Sequence, residues 1–132
     1  MREIKFRAWD KGLKEYIYNV ESIGVYASIE YDDYDFSDIL IEERFEVEQY
    51  TGLKDKNNKE IYDGDIVESF VHPEIPIHYV VQWSDKFNGW FCKNLNNPES
   101  DYKTVDIQLW VYIKNNQFEV IGNIHENPEL LV

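Results

Sequence analysis

The stretch QYTGLKDKNNKEIYDGDIV, from Gln49 to Val67, restricts the fold of this chain more than any other. It places two turns and the start of a strand within a short span. Thr51-Gly52 is expected to break the β-like run before it. The polar segment from Lys54 to Lys59 offers Asp55, Asn57 and Asn58 for a turn, because Asx side chains hydrogen-bond nearby backbone and tolerate positive φ. Ile61 and Tyr62 resume apolar character. Asp63-Gly64 supplies a second tight turn through a glycine free to adopt φ > 0, and Asp65-Ile66-Val67 launches a β-branched strand. All of this is architecture, and no catalytic pattern lies within it.

The rest of the chain keeps the same period. Ile4, Phe6 and Ala8 alternate with Lys5, Arg7 and Trp9, as a half-buried strand requires. Asp10-Lys11-Gly12 reads as a turn and Tyr16 to Val20 as the return strand of a hairpin. Trp9, beside that turn, is read as a core-edge side chain, since tryptophan buries much area while its N–H seeks a partner. Ile23 to Ile29 and Phe45 to Thr51 alternate again. Ile39 to Ile41 is too short for periodicity to choose between a strand and a short helix capped at Ser37. His72-Pro73 and Ile75-Pro76 mark a loop or edge, because each proline removes a ladder donor. Tyr79 to Trp83 and Trp90 to Cys92 form a hairpin that turns at Asn88-Gly89. Lys93 to Asp106 is a polar excursion, Ile107 to Ile113 a strand, and Phe118 to Ile124 the closing strand. Asn127-Pro128-Glu129 predicts one terminal helical turn. Plentiful aromatic and β-branched residues with few alanines favour strands over helices. The expected fold is therefore mainly β with little helix, in a single domain of 132 residues. The acidic segment divides it into an N-terminal β-hairpin or sheet over 1–44 and a small barrel or paired sheets over 45–132.

Charge narrows the function classes. The chain carries 26 acidic against 13 basic residues, a net −13. Residues 1–14 hold five bases and two acids, a balance of +3, whereas residues 15–50 hold eleven acids against Arg44 alone, a balance of −10. Such a field repels phosphate backbones and attracts basic partners, so general nucleic-acid binding is disfavoured. No apolar run approaches the ~20 residues of a membrane helix, and the N-terminus has no signal-peptide core. Cys92, the single cysteine, has no internal disulfide partner. A cytoplasmic location is expected.

The acidic charge is most concentrated in EYDDYDFSD, where Tyr31, Tyr34 and Phe36 interleave with Glu30, Asp32, Asp33, Asp35 and Asp38. One reading is a solvated loop or loose strand extension, because like-charge runs sit in water. The sharper one is a surface that imitates the spaced negative charge of nucleic acid, with aromatics supplying contact area. The run lacks the mid-loop glycine and distal glutamate of an EF-hand calcium loop. Elsewhere, Cys92 shows neither the base nor the lowered pKa of a nucleophile. His72, His78 and His125 do not combine with Cys92 in the short paired spacing of a structural zinc site. Asp63 and Asp65 read as turn residues around Gly64 rather than as paired catalytic carboxylates. No phosphate-cradling loop, hydrolase elbow or zinc-protease pair occurs. No catalytic residue, cofactor or metal ligand is assigned.

Three blocks, MREIKFRAWDKGLKEYIY at the start, TGLKDKNNKEIYDGDIV in the middle and FEVIGNIHENPELL at the end, together resemble the YopX-like family of small proteins encoded by bacteriophages and prophages. They occur in the family's order. The resemblance implies a β-rich phage protein with an SH3-like barrel in its C-terminal half, and it offers no catalytic residues to carry over. The expected function is a non-enzymatic interaction module of the host cytoplasm. It meets a basic host or phage protein through Glu30, Tyr31, Asp32, Asp33, Tyr34, Asp35 and Asp38, and its sheet edges leave a homo-oligomer open. Two alternatives stand beside it. One is nucleic-acid binding by the basic hairpin with Trp9 as a stacking side chain. The other is an enzyme built on Cys92 with a histidine, or on Asp63 and Asp65.

Overall fold

Alternating side chains and left-handed turn residues shape this chain into strands and short turns. The computed structural model describes residues 3–22, 34–69, 76–86, 88–95, 107–108 and 118–131. Two compact units, Met1–Tyr50 and Thr51–Val132, divide the chain inside one long strand.

In the first unit, β1 (Phe6–Asp10) pairs antiparallel with β2 (Glu15–Tyr18) and with the start of β3 (Phe45–Lys54). The hairpin turn is longer than the Asp10-Lys11-Gly12 turn expected, and its left-handed residue is Lys14, with φ 58°. Gly12 serves a different need: a Cβ there would lie 3.2 Å from Asp10 Oδ1 and 3.3 Å from Arg44 Nε. Asn19, at φ 57°, ends the return strand before Val20 and leads into a 3-10 turn, Val20–Ser22. The inner face packs Ala8, Val20, Ile39 and Phe45 with Phe6, Ile17, Phe36 and Val47 around them.

The opposite face is not the solvated one that simple alternation expects. Arg7 and Glu48 stand opposite each other in the register and are only 4% and 5% exposed. Arg7 Nε donates to Glu48 Oε1 at 2.8 Å, and the Tyr16 hydroxyl donates to the same oxygen at 2.9 Å. The guanidinium lies 4.3 Å from the Tyr16 ring centre, and Trp9 meets that ring edge-on at 5.0 Å. Two buried charges are tolerable here because each meets its opposite and further hydrogen-bond or aromatic contacts.

In the second unit, β3 continues through Thr51-Gly52 instead of breaking. Gly52 takes φ 87° within the strand, while Thr51 Oγ1 donates to the Ile61 carbonyl at 2.8 Å and accepts from the Leu53 N–H at 3.1 Å. With no Cβ, Gly52 takes this left-handed conformation without steric cost, so the strand continues through it. β4 (Glu60–Tyr62) neighbours β3, giving the order β2-β1-β3-β4. A second sheet follows the order β8-β7-β6-β5-β9, from β5 (Asp65–Ser69), β6 (Ile77–Ser84), β7 (Gly89–Asn94), β8 (Ile107–Gln108) and β9 (Phe118–Asn123). Its neighbours are all antiparallel, with a register shift between Ile66 and Val67 where β5 meets β9. Ile61, Val67, Tyr79, Val81, Cys92 and Phe118 form the core of this unit. Asn88, at φ 50°, turns the β6–β7 hairpin, and Gly89 already belongs to β7 opposite Ser84. The C-terminal turn is a 3-10 turn, Pro128–Leu131.

The fold is thus mainly β, and the described residues form two antiparallel sheets and one short α-helix. The expected strand over Ile23 to Ile29, most of Ile107 to Ile113 and the His72-Pro73 loop lie outside the described residues. No helix among the described residues is long and apolar enough to cross a membrane.

Candidate functional site

The acidic run becomes a helix entry. Helix α1 (Phe36–Ile41) settles the open reading of Ile39 to Ile41, and its cap is Asp35, not Ser37. Asp35 Oδ1 accepts the Asp38 N–H at 2.9 Å, and Asp38 Oδ2 accepts the Asp35 N–H at 3.0 Å. This reciprocal capping box satisfies two donors that a helix start leaves orphaned, and both carboxylates sit at the positive end of the helix dipole. Ser37 falls inside the first turn, where its hydroxyl has no cap to make. Two of the acids expected to repel one another are therefore held by backbone.

Two aromatics of the run, Tyr34 and Phe36, pack inward. Phe36 packs 5.2 Å from Phe6, and Tyr34 meets Phe45 edge-on at 5.6 Å. Their spacing places them on the core side with Ile39, so neither is the free contact surface that the interleaved pattern suggested. Leu40 and Ile41 are turned out instead, 53% and 80% exposed. Glu42 and Glu43 follow directly, both exposed. Of the seven residues expected to form the interaction surface, Tyr34, Asp35 and Asp38 are thus placed. Glu30, Tyr31, Asp32 and Asp33 lie outside the described residues.

Arg44, the one base between residues 15 and 50, is committed elsewhere. Its Nε and Nη2 donate to the two oxygens of Asp10 at 2.8 and 2.7 Å, in a fork that matches a carboxylate. The fully buried Asp10 also accepts the Gly12 and Leu13 N–H groups, so it ties the hairpin turn to the start of β3. Hydrogen bonding to Asp10 holds the Arg44 pKa above its ordinary value. Among the described residues, Asp35, Asp38, Glu42 and Glu43 meet no lysine or arginine.

Three of the five bases of the basic hairpin are paired with acids in the same unit. Lys5 pairs with Glu3 at 3.1 Å, Arg7 with Glu48, and Lys11 with Glu46 at 3.5 Å. Trp9 is buried at the core edge, so it offers no open face for a stacked base.

The other groups weighed from sequence lie in strands and turns or outside the described residues. Cys92 is fully buried opposite Val81. His78 faces Glu68 across the β5–β6 pair at 3.6 Å, while His125 sits in the turn after β9 and His72 lies outside the described residues. Asp65 Oδ2 accepts the Tyr62 N–H at 2.8 Å across the Asp63-Gly64 turn, where Gly64 takes φ 85°. Among the described residues, no three His, Cys, Asp or Glu side chains gather as a metal ion requires. Sequence reading missed the outward turn of Leu40 and Ile41. The signal was present as an apolar pair just past the Phe36 and Ile39 core positions, at i and i+3 of a helix.

Fold and site together define a small, mainly β protein whose polar turns hold backbone in place. The chain belongs to the YopX family: the description "YopX protein" fits residues 5–132. It is also similar to protein EF1440 from Enterococcus faecalis, known from a crystal structure, with a TM-score of 0.61 and 25% sequence identity over 100% of both chains. Among curated proteins, none matches it.

Proposed function

We propose that this protein is a phage-encoded, non-enzymatic interaction module that works in the host cytoplasm by docking a basic protein on the acidic segment from Glu30 to Glu43. One observation carries the reading: the exposed acids around α1 have no cationic partner among the described residues, because Arg44 is taken by Asp10. Uncompensated carboxylates at this density raise the local concentration of a positively charged partner and speed its encounter. The SH3-like barrel implied by the family resemblance fits a second unit built of short antiparallel strands. Nucleic-acid binding has less support, since Lys5, Arg7 and Lys11 face acids of their own unit and Trp9 is buried. An enzymatic reading has no assembled metal-binding group among the described residues in its favour.

The test is affinity capture from host lysate at low and moderate salt, using the full chain and a variant with Glu30, Asp32, Asp33, Glu42 and Glu43 changed to their amides. The expected result is a basic protein retained by the natural chain at low salt, released as salt rises, and absent with the variant. Equal retention by the two chains, with unchanged salt dependence, refutes the proposal.

A further inference from the structure

The exposed pair Leu40 and Ile41 departs from the rule that the outer face of a surface helix is polar. Phe36 and Ile39 already supply the inward stripe of α1, so the core does not need the other two. Single exposed apolar side chains are ordinary. Here, however, two large ones are adjacent, 53% and 80% exposed, on a helix of six residues. They are bracketed by Asp35 and Asp38 before them and by Glu42 and Glu43 after them. The arrangement is an apolar centre with an acidic rim, the layout of a docking surface whose rim selects by charge and whose centre supplies contact area.

We infer that Leu40 and Ile41 anchor an apolar side chain of the partner, and that this partner segment is a basic amphipathic one with leucine-type residues between lysines or arginines. The choice of occupant follows from charge complementarity. An acidic or neutral apolar segment gains nothing from the rim, and a second copy of this chain brings a like-charged α1 against the first. A purely basic segment pairs with the rim but leaves both anchors in water. The inference rests on the acidic-surface reading of function and adds the apolar half of the recognition.

Two synthetic peptides of equal charge separate the two halves: one alternates lysine with leucine, the other lysine with serine. Each is titrated into the full-length protein at low salt while backbone amides of residues 34–43 are followed by NMR. The lysine–leucine peptide is expected to shift those amides and to bind tighter than its serine counterpart by about tenfold, the gain from covering roughly one apolar side chain. In a Leu40→Gln, Ile41→Gln variant the difference between the peptides disappears while weak, salt-sensitive binding of both persists. Glutamine is a good helix former, so α1 is retained, and unchanged amides elsewhere verify this. If both peptides bind the natural chain equally, the apolar anchor is wrong and the acidic-surface reading survives. If neither binds, both fail together. A leucine preference that persists in the variant, or that maps outside residues 34–43, also overturns the inference.

Discussion

At Gly122 the fold leaves space for a hydrogen atom and nothing more. A Cβ there would stand 2.5 Å from Asn127 Oδ1, the oxygen that accepts the Asn123 N–H at 3.2 Å. The Asn123 side chain in turn accepts the His125 and Glu126 N–H groups, so one close approach sets the whole turn after β9. Gly122→Ala is expected to cost about 2 kcal/mol in urea unfolding, because the asparagine must leave and a backbone donor loses its partner. Adding Asn127→Ala to that variant should cost less than the sum of the two single changes, since the clash and the bond involve the same atoms. Strict additivity places the strain elsewhere. In the sequence, Asn127 stands directly before the terminal helical turn, at the position of a cap. Its N–H and carbonyl take part in the turn, but its side chain faces back toward β9. Spacing suggested a cap there, and nothing in the spacing could show that β9 supplies a nearer donor.

Among the elements, turns carry more of the specificity than strands do. Asp55 shows how. Its Oδ1 accepts the Asn57 and Lys59 N–H groups at 2.8 and 2.9 Å within its own turn, while Oδ2 accepts the Val120 N–H of β9 at 2.9 Å. Asn58 completes the turn at φ 66°. The turn was legible in Asp55, Asn57 and Asn58, because local backbone demands are written in local residues. The tie to Val120, sixty-five positions away, was not. Asp55→Ala should lose about 3 kcal/mol of stability and accelerate hydrogen exchange at Asn57, Lys59 and Val120 together, leaving the Tyr62 amide slow on its Asp65 acceptor. Asp55→Asn has one accepting oxygen instead of two, so it should keep either the turn amides or Val120 protected, not both sets. Helix α1 follows a similar logic. Asp35 and Asp38 were legible as acids three apart, and like-charge repulsion pointed to a solvated loop, whereas their carboxylates form the capping box of α1.

On the scale of the whole molecule, each unit has its own core, and Cys92 lies inside that of the second. A small thiol reagent should therefore react with native protein at least about a thousandfold more slowly than with urea-unfolded chain, because access requires β7 to open. Fast reaction under native conditions would mean that the β6–β7 hairpin opens locally, and it would return Cys92 to consideration as a reactive group. The sequence by itself determined the mainly β class, the turns at Asp55 to Asn58, Asp63-Gly64 and Asn88, the placing of Trp9 at a core edge and the sign of the surface charge. All of these depend on side-chain period, backbone preference or composition, which act between near neighbours or need no coordinates. Tertiary structure decided which charges are spent. Arg7 is buried against Glu48, Arg44 is locked on Asp10, and Tyr34 and Phe36 turn inward, so that Leu40, Ile41 and the glutamates after them form the open surface. Those outcomes depend on which distant strand lies opposite each residue. Pairing across separations such as Arg7 to Glu48 is set by the packing of the completed sheet and is absent from any local pattern in the chain.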